Sequence, residues 1–540
     1  MSAIAANSGA AGAMLSERRR AINPPINPWI IAVTVTLATF MELLDTSVAN
    51  VSLPHIAGGL STGQDESTWV LSSYLVANAV VLPLSAWLSR LMGRKNYYML
   101  SVALFTTSSL LCGLAPSLGW LIFFRVLQGM GGGGLAPVEQ AILVDTFPAK
   151  KRASAFAVYS IAIVTAPAIG PTLGGWITDS YSWRWVFFIN IPIGLLSLLL
   201  SGALISDPPQ FTRQRRANKG KLRVDYVGIL LVAVGFGCLE VVLDKGERED
   251  WLQSSFIAAF LVTAVVALVL GTIWELTRKD PVVDLTLLKE RNFALASVLY
   301  FILFFILFAS TLLVPLMLQN LYGYTATDAG EVLSPGAMVI VVLTPLMVMI
   351  LKKVQPRWMM AFGLMVCACA SFSMTRLDLN GDYDGFVIPR MVLGLALAFI
   401  FVPLNLTAYS YLPPEKNNRA SSLVNLFRNL GGSFGVAFVA TMLARRGQFH
   451  QSVLGGHVSA YDPAAAATLR DLSGKLVAAG LPPGDALPRA QALIYATVQK
   501  QSALLAFLDV FWLLCLLSLA AIPLVLLIKN VRRGAAAAGH

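Results

Sequence analysis

Eight ionisable side chains sit inside long apolar runs of the chain: Glu42, Asp45, Arg125, Glu139, Glu240, Arg390, Arg428 and Asp509. A charge surrounded by hydrocarbon is costly, and it persists where it binds an ion or polar ligand or meets an opposite charge. Asp45 and Arg125 each lie about six residues from the outer end of a run, so in helices both stand roughly 8 to 9 Å below the same surface. An acid and a guanidinium at one depth can take up or release a proton. Burial favours the neutral carboxyl, the nearby cation favours the carboxylate, and a change in surroundings tips the balance. Glu42 precedes Asp45 by three residues and shares its helix face about one turn deeper, which suits a relay or a recognition charge for a cation. Glu139, fourteen residues beyond Arg125, falls within about 40° of the same helix face and is expected to line the same space. Glu240 and Asp509 stand near run ends and read as interfacial, Asp225 reads as a helix N-cap, and Arg428 with Asn429 fits a packing contact or a site.

Other chemistries lack their parts. The chain has no G-x-x-x-x-G-K-[ST] phosphate cradle and no nucleophile-base motif, so an ATP-driven pump or a hydrolase is not expected and an ion gradient must supply any work. No cofactor is implied. The four histidines are not at metal-ligand spacing, and all five cysteines fall in apolar runs, where they act as small hydrophobes. The net charge of +11 would suit nucleic acid only if it gathered on one folded face, but the Lys and Arg are dispersed through short loops.

These side chains need elements that hold them in a bilayer. With 56% hydrophobic and 13% charged residues the chain reads as an integral membrane protein. Fourteen helical spans are expected near 29–50, 69–88, 98–115, 120–144, 153–177, 185–205, 226–243, 255–274, 293–318, 333–351, 358–374, 385–410, 420–442 and 504–528. With the N-terminus inside, 27 of the 40 Lys and Arg fall in the tails and in loops on the cytoplasmic side, against 4 in the short loops opposite. Both termini are therefore expected in the cytoplasm, with 1–28 and 529–540 as tails. Segment 445–502 is expected outside, as two helices flanking the turn from Gly480 to Gly484.

An internal repeat organises the spans. Arg125 and Gly129 are followed by Pro137, and Arg390 and Gly394, 265 residues on, by Pro403. Pro54 and Pro315 are 261 apart, and Arg94-Lys95 and Lys352-Lys353 are 258 apart. Parallel-repeat transporters carry weak symmetry of this kind. Spans 1 to 6 (29–206) then match spans 9 to 14 (281–528), and 207–280 adds a loop and two inserted helices. The position equivalent to Asp45 is Ile306, so charge chemistry is expected in the N-terminal half. Phe301, Phe304, Phe305 and Phe308 form a stripe on span 9 able to meet apolar ligands.

Three motifs resemble the major facilitator superfamily: Arg125, Gln128 and Gly129 in span 4; Gly170, Pro171, Gly174 and Gly175 in span 5; and Gly93, Arg94 and Lys95 after span 2. The run from Leu44 to Pro54, Trp183 to Trp185 with Asn190 and Pro192, and Gln319 with Gly323 and Tyr324 are similar to the fourteen-helix drug:proton antiporters of the EmrB/QacA group. Ala86 and Arg90 stand where the family's loop motif has Gly and Asp, and Ala166 replaces a Gly. The resemblance implies an all-α major facilitator fold in the cell inner membrane, two six-helix bundles plus two inserted helices, exporting drugs against protons by alternating access. Proton coupling is expected at Asp45 and Arg125, and from helix position at Glu42, where family members need not have an acid, and Glu139; a cavity for hydrophobic or amphiphilic drugs is expected at Asn50, Gln128, Phe304, Phe308 and Gln319, and conformational change at Gly170, Pro171, Gly174, Gly175, Gly93 and Arg94. The resemblance further implies a periplasmic adaptor and an outer-membrane channel as partners. A stand-alone exporter of cationic drugs or of one metabolite fits the same residues, whereas the intact intramembrane charges argue against a membrane sensor with a transporter fold.

Overall fold

A computed structural model describes residues 27–206, 225–278, 281–413, 416–458 and 462–530, and within them there is no β-strand. Most of the expected tails and of the loop at 207–224 lie outside the described residues. The long helices are α1 (Pro28–Val51), α2 (Trp69–Met92), α3 (Arg94–Gly113), α4 (Leu118–Thr146), α5 (Ala149–Ser180), α6 (Trp185–Leu204) and α7 (Tyr226–Lys245). They continue with α8 (Ser255–Thr277), α9 (Arg291–Tyr322), α10 (Ala326–Leu351), α11 (Pro356–Met374), α12 (Tyr383–Ala408), α13 (Asn417–Gly456), α14 (Pro463–Ala478) and α15 (Pro483–Leu526). Helix starts follow local chemistry. Asn27 caps α1 with Pro28 in its first turn, Asp225 accepts from the Gly228 amide to cap α7, and Thr325 with Asp328 forms a capping box on α10.

Twelve of these helices are long and apolar enough to cross a membrane, or thirteen when the two limbs of α5 count as one span. The protein is a multi-pass membrane protein. α3 is not among them: its 20 residues begin with Arg94 and Lys95 and include the run Thr106, Thr107, Ser108 and Ser109. It is nonetheless packed between α4 and α6.

The contacts repeat with a shift of eight helices, nine once α14 has intervened. α1 packs on α5 as α9 does on α13, α2 on α4 as α10 on α12, and α3 on α4 and α6 as α11 on α12 and α15. Glycine spacing explains why. A Cβ at Gly129 on α4 would overlap the Tyr74 carbonyl on α2, and one at Gly394 on α12 would overlap the Gly336 carbonyl on α10. Four residues after each arginine, a missing side chain lets two backbones meet. α7 and α8 pair with each other, and α7 also lies against α2 and α13. Across the two sets, α5 meets α10 and α2 meets α13.

Three boundaries differ from expectation. α4 is interrupted at Gly133 and Gly134, which form a turn between its two segments. Spans 13 and 14 are parts of longer helices: α13 has 40 residues, and the second arm of the expected hairpin is continuous with α15, of 44 residues. The hairpin turn itself is present, with Gly480 at φ 98°, a conformation that a Cβ would strain.

Candidate functional site

Asp45 and Arg125 meet as their depths predict. Both are fully buried, and the Arg125 Nη1 donates to Asp45 Oδ2 at 2.6 Å. Gln128 Nε2 and Asn190 Nδ2 donate to the other carboxylate oxygen at 3.0 and 2.6 Å. Arg125 also donates through Nε to the Val70 carbonyl and through Nη1 to Gln128 Oε1, and its guanidinium lies 4.4 Å from the Tyr74 ring centroid. Four helices, α1, α2, α4 and α6, converge on one ion pair. Buried charges are tolerated in this way, with an opposite charge and with remaining lone pairs satisfied.

Glu42 stands one turn along α1 from Asp45, in a different setting. Its partners are neutral: Asn78 Nδ2 at 2.9 Å and the Tyr74 hydroxyl at 3.4 Å, both from α2. Glu139 is fully buried and accepts from the Thr36 hydroxyl on α1 at 2.6 Å. The break in α4 intervenes, so Glu139 joins the level of Thr36, nine residues and about 13 Å along α1 from Asp45. The three acids thus form a ladder along one helix. Arg428 of α13 reaches the same region from the other half of the chain. It donates to Asn425 Oδ1 at 2.6 Å and to the Tyr159 hydroxyl of α5, and stacks 4.3 Å over the Phe304 ring.

Uncharged polar residues tie the halves together around this ladder. Gln140 on α4 accepts from Asn425 Nδ2 at 2.9 Å and from the Tyr409 hydroxyl at 3.0 Å, and it donates to the Tyr159 hydroxyl at 2.7 Å. Asn78 on α2 accepts from Asn429 at 3.4 Å, and Ser89 accepts from Asn418 at 3.1 Å. Sequence reasoning missed Asn78, Gln140, Asn190 and Asn425, because amides cost too little in a hydropathy count to stand out. Asn425 alone carried a signal in its spacing, three residues from Arg428 as Gln128 is from Arg125.

The motif residues occupy joints. Pro171 has no amide proton, which frees the Pro167 carbonyl four residues earlier, and the Ser47 hydroxyl of α1 donates to it at 3.2 Å. A Cβ on Gly170 would overlap Ser47, Gly174 rests on Val48, and Gly175 faces Thr327 of α10. Between its limbs 151–167 and 169–180, α5 bends by 42°. Gly93 has φ 91° and turns α2 directly into α3, where the buried Arg94 pairs with Asp145 at the end of α4. Asp145 also accepts from Asn417 of α13 at 3.3 Å. The family motif's missing aspartate left Arg94 without a foreseeable partner, and Asp145, fifty-one residues on, supplies one.

The expected drug-contacting residues do not gather in one place. Phe304 is buried against Phe308, Phe401 and Arg428, whereas Phe301 and Phe305 stack on Phe434 and Phe438 of α13. The stripe is therefore divided between the centre and a helix contact. Gln128 is spent within the Asp45 cluster, and Asn50 and Gln319 are exposed in the last turns of α1 and α9. Glu240 is buried and accepts from Ser433 of α13 at 2.7 Å. Asp509 is paired with Arg446 at 2.5 Å and with His450 at 2.7 Å.

A helix repeat of this order with an enclosed Asp45–Arg125 pair sets the chain beside known transporters. The sequence profile of the Major Facilitator Superfamily matches residues 35–436. The chain belongs to the major facilitator superfamily. Within this superfamily it is 36% identical over 485 residues to the multidrug export protein EmrB of Escherichia coli strain K12, covering 90% of this chain and 92% of that one. To the multidrug export protein EmrB of Haemophilus influenzae it is 38% identical over 442 residues, 80% and 84% of the two chains. The superfamily fold also appears in the likeness to the proton:xylose symporter XylE bound to a bromodeoxyglucose, with a TM-score of 0.58 at 14% identity, covering 94% of this chain and 96% of that one.

Proposed function

We propose that the protein exports hydrophobic and amphiphilic drugs in exchange for protons, by alternating access between two six-helix bundles, 29–206 and 281–528. The observation that carries this reading is the set of buried acids Glu42 and Asp45 on α1 with Glu139 of α4 against the same helix, next to the Gln140–Tyr159–Arg428 link to the other bundle. A proton arriving at Glu42 exchanges one neutral hydrogen-bond pattern for another, whereas a proton arriving at Asp45 must break an ion pair. Glu42 and Glu139 are thus the exchange sites, and Asp45 with Arg125, whose partners all belong to the first bundle, holds that bundle together. Movement of Arg428 away from Glu42 couples bundle separation to proton binding, because an opposite charge favours the carboxylate and its departure favours the acid. The polar links of Gln140, Asn78 and Asp145 to α13 are the contacts that must break at the end of the molecule where α4 stops and α13 starts.

The names of the EmrB relatives support drug export. α3 completes fourteen spans, placing both termini in the cytoplasm and the inserted pair α7 and α8 beside α2 and α13, in the inner membrane. α14 buries none of its side chains, which suits a docking surface for a periplasmic adaptor that leads to an outer-membrane channel.

Purified protein in proteoliposomes, loaded with a pH indicator and given ethidium, tests the reading. Drug-dependent proton movement is expected from the parent chain and is expected to vanish in Glu42→Gln with ethidium binding retained. Ethidium transport that ignores an imposed pH gradient would remove proton exchange from the account.

A further inference from the structure

Arg390 stands in the second bundle where Arg125 stands in the first: each is the eighth residue of its helix, four before the glycine that lets two backbones touch. Their contacts fix the register between the bundles. Arg125 Nη1 donates to Asp45 Oδ2, and Arg390 Nη1 donates to the Ser310 hydroxyl at 3.1 Å. Ser310 follows Asp45 by the same 265 residues that separate the two arginines, so a serine, and not the Ile306 that proline spacing indicates, takes the carboxylate's place. The other partner of Arg390 is the Thr311 hydroxyl, 3.1 Å from Nη2, and among the described residues no carboxylate pairs with it. At 7% exposure the residue is removed from water, and neutral hydroxyls do not balance a full charge.

Two small clefts border Arg390. One lies on the seam with the first bundle, between Pro167 of α5 and Leu333 of α10, and its polar side chains are Arg390 and Thr311. The other lies inside the second bundle, between Ser310 and Val314 of α9, Ser371 and Met374 of α11, Arg390 of α12 and Phe511 of α15. Neither lining holds a carboxylate. Each cleft has a volume of about 20 Å³, above the roughly 10–15 Å³ that admits one water-sized guest and far below the needs of an organic molecule. In the second cleft the hydroxyls differ. Ser310 gives its hydrogen to the Leu307 carbonyl at 3.0 Å, whereas the buried Ser371 hydroxyl has no partner among the described residues and keeps a hydrogen to donate.

We propose that Arg390 binds one halide ion from solution, of chloride's size, in the cleft between α9, α11, α12 and α15, with the Ser371 hydroxyl as a second donor. The ion supplies to the second bundle the negative charge that Asp45 supplies to the first. Ser310 and Thr311 hold the guanidinium in place by accepting from Nη1 and Nη2. A diffusible ion in place of a built-in acid makes the stability of this bundle depend on the salt around it. The site concerns equilibrium binding and does not rest on the export reading.

The test follows thermal unfolding of the full-length protein in phosphatidylcholine nanodiscs, in sodium chloride, bromide or gluconate at equal ionic strength. Gluconate is too large for the cleft. Chloride and bromide are expected to raise the midpoint of the parent chain by about 1–2 °C over gluconate. Ser310→Asp builds into the second bundle the acid that the first one has, and is expected to abolish the difference between chloride and gluconate. Arg390→Met is expected to abolish it as well, by removing the cation. Ser371→Ala is expected to raise the chloride concentration that gives half the effect about fivefold, the loss of one hydrogen bond, and this mildest change carries the test if the other two variants do not assemble. Equal midpoints of the parent chain in chloride and gluconate would mean that water alone occupies the cleft. A chloride effect that persists undiminished in assembled Arg390→Met or Ser310→Asp, or an unshifted chloride dependence in Ser371→Ala, would mark a general salt effect. Either result would overturn the site.

Discussion

Two arginines at equivalent places in a repeated bundle have been given opposite circumstances. Arg125 is enclosed by a carboxylate, an amide, a backbone carbonyl and two aromatic rings, and its bundle carries three buried acids. Arg390 keeps the same place in its helix and the same glycine but has only two hydroxyls as polar partners. The backbone scaffold was copied and the charge chemistry was not. Duplication supplies geometry, and each copy's side chains decide whether an intramembrane cation is closed off or left available.

The sharpest way to break this contrast is to remove each cation. Arg125→Met leaves the Asp45 charge in a dry site, which costs about 3–5 kcal/mol, and is expected to lower the thermal midpoint of the detergent-solubilised protein sharply. Arg390→Met strands no opposite charge and is expected to cost less than about 1 kcal/mol on the same assay. Equal losses would mean that Arg390 is as much a part of the packing as Arg125. The shared scaffold is tested next. Gly129→Ala and Gly394→Ala each push a methyl into a facing carbonyl, and each is expected to destabilise by about 1–3 kcal/mol. A large effect at one glycine only would show that the two crossings are not equivalent. Ser47→Ala is expected to give a loss of about 0.5–1.5 kcal/mol, because it orphans the Pro167 carbonyl that Pro171 has freed. The last effect is functional rather than structural. Glu42→Gln retains its neutral partners, so its thermal midpoint is expected to stay within about 2–4 °C of the parent.

Much of this was legible in the sequence, for identifiable reasons. Apolar runs mark helices because hydrocarbon leaves the backbone no other partner, and the depth of Asp45 and Arg125 follows from a fixed rise per residue. Glu139 was placed by extending that rise through Gly133 and Gly134, where the helix stops, so its level on α1 could not be read. Phe301 and Phe304 look alike in a periodic stripe, and only the position of α13 separates them. Arg94 and Asp145 come from the ends of different helices, and nothing local in either segment points to the other.

The length of α13 has a mechanical consequence. Its 40 residues make a rod about 60 Å long, twice the thickness of the bilayer's hydrocarbon, with Arg428 at its twelfth residue and Gly456 at its far end. A tilt of about 10° that lifts Arg428 off the acid ladder would sweep the projecting 30 Å through roughly 5 Å. The far tip is a pointer fixed to the charge: a fluorophore there would display the position of the buried Arg428 as a distance, without entering the membrane.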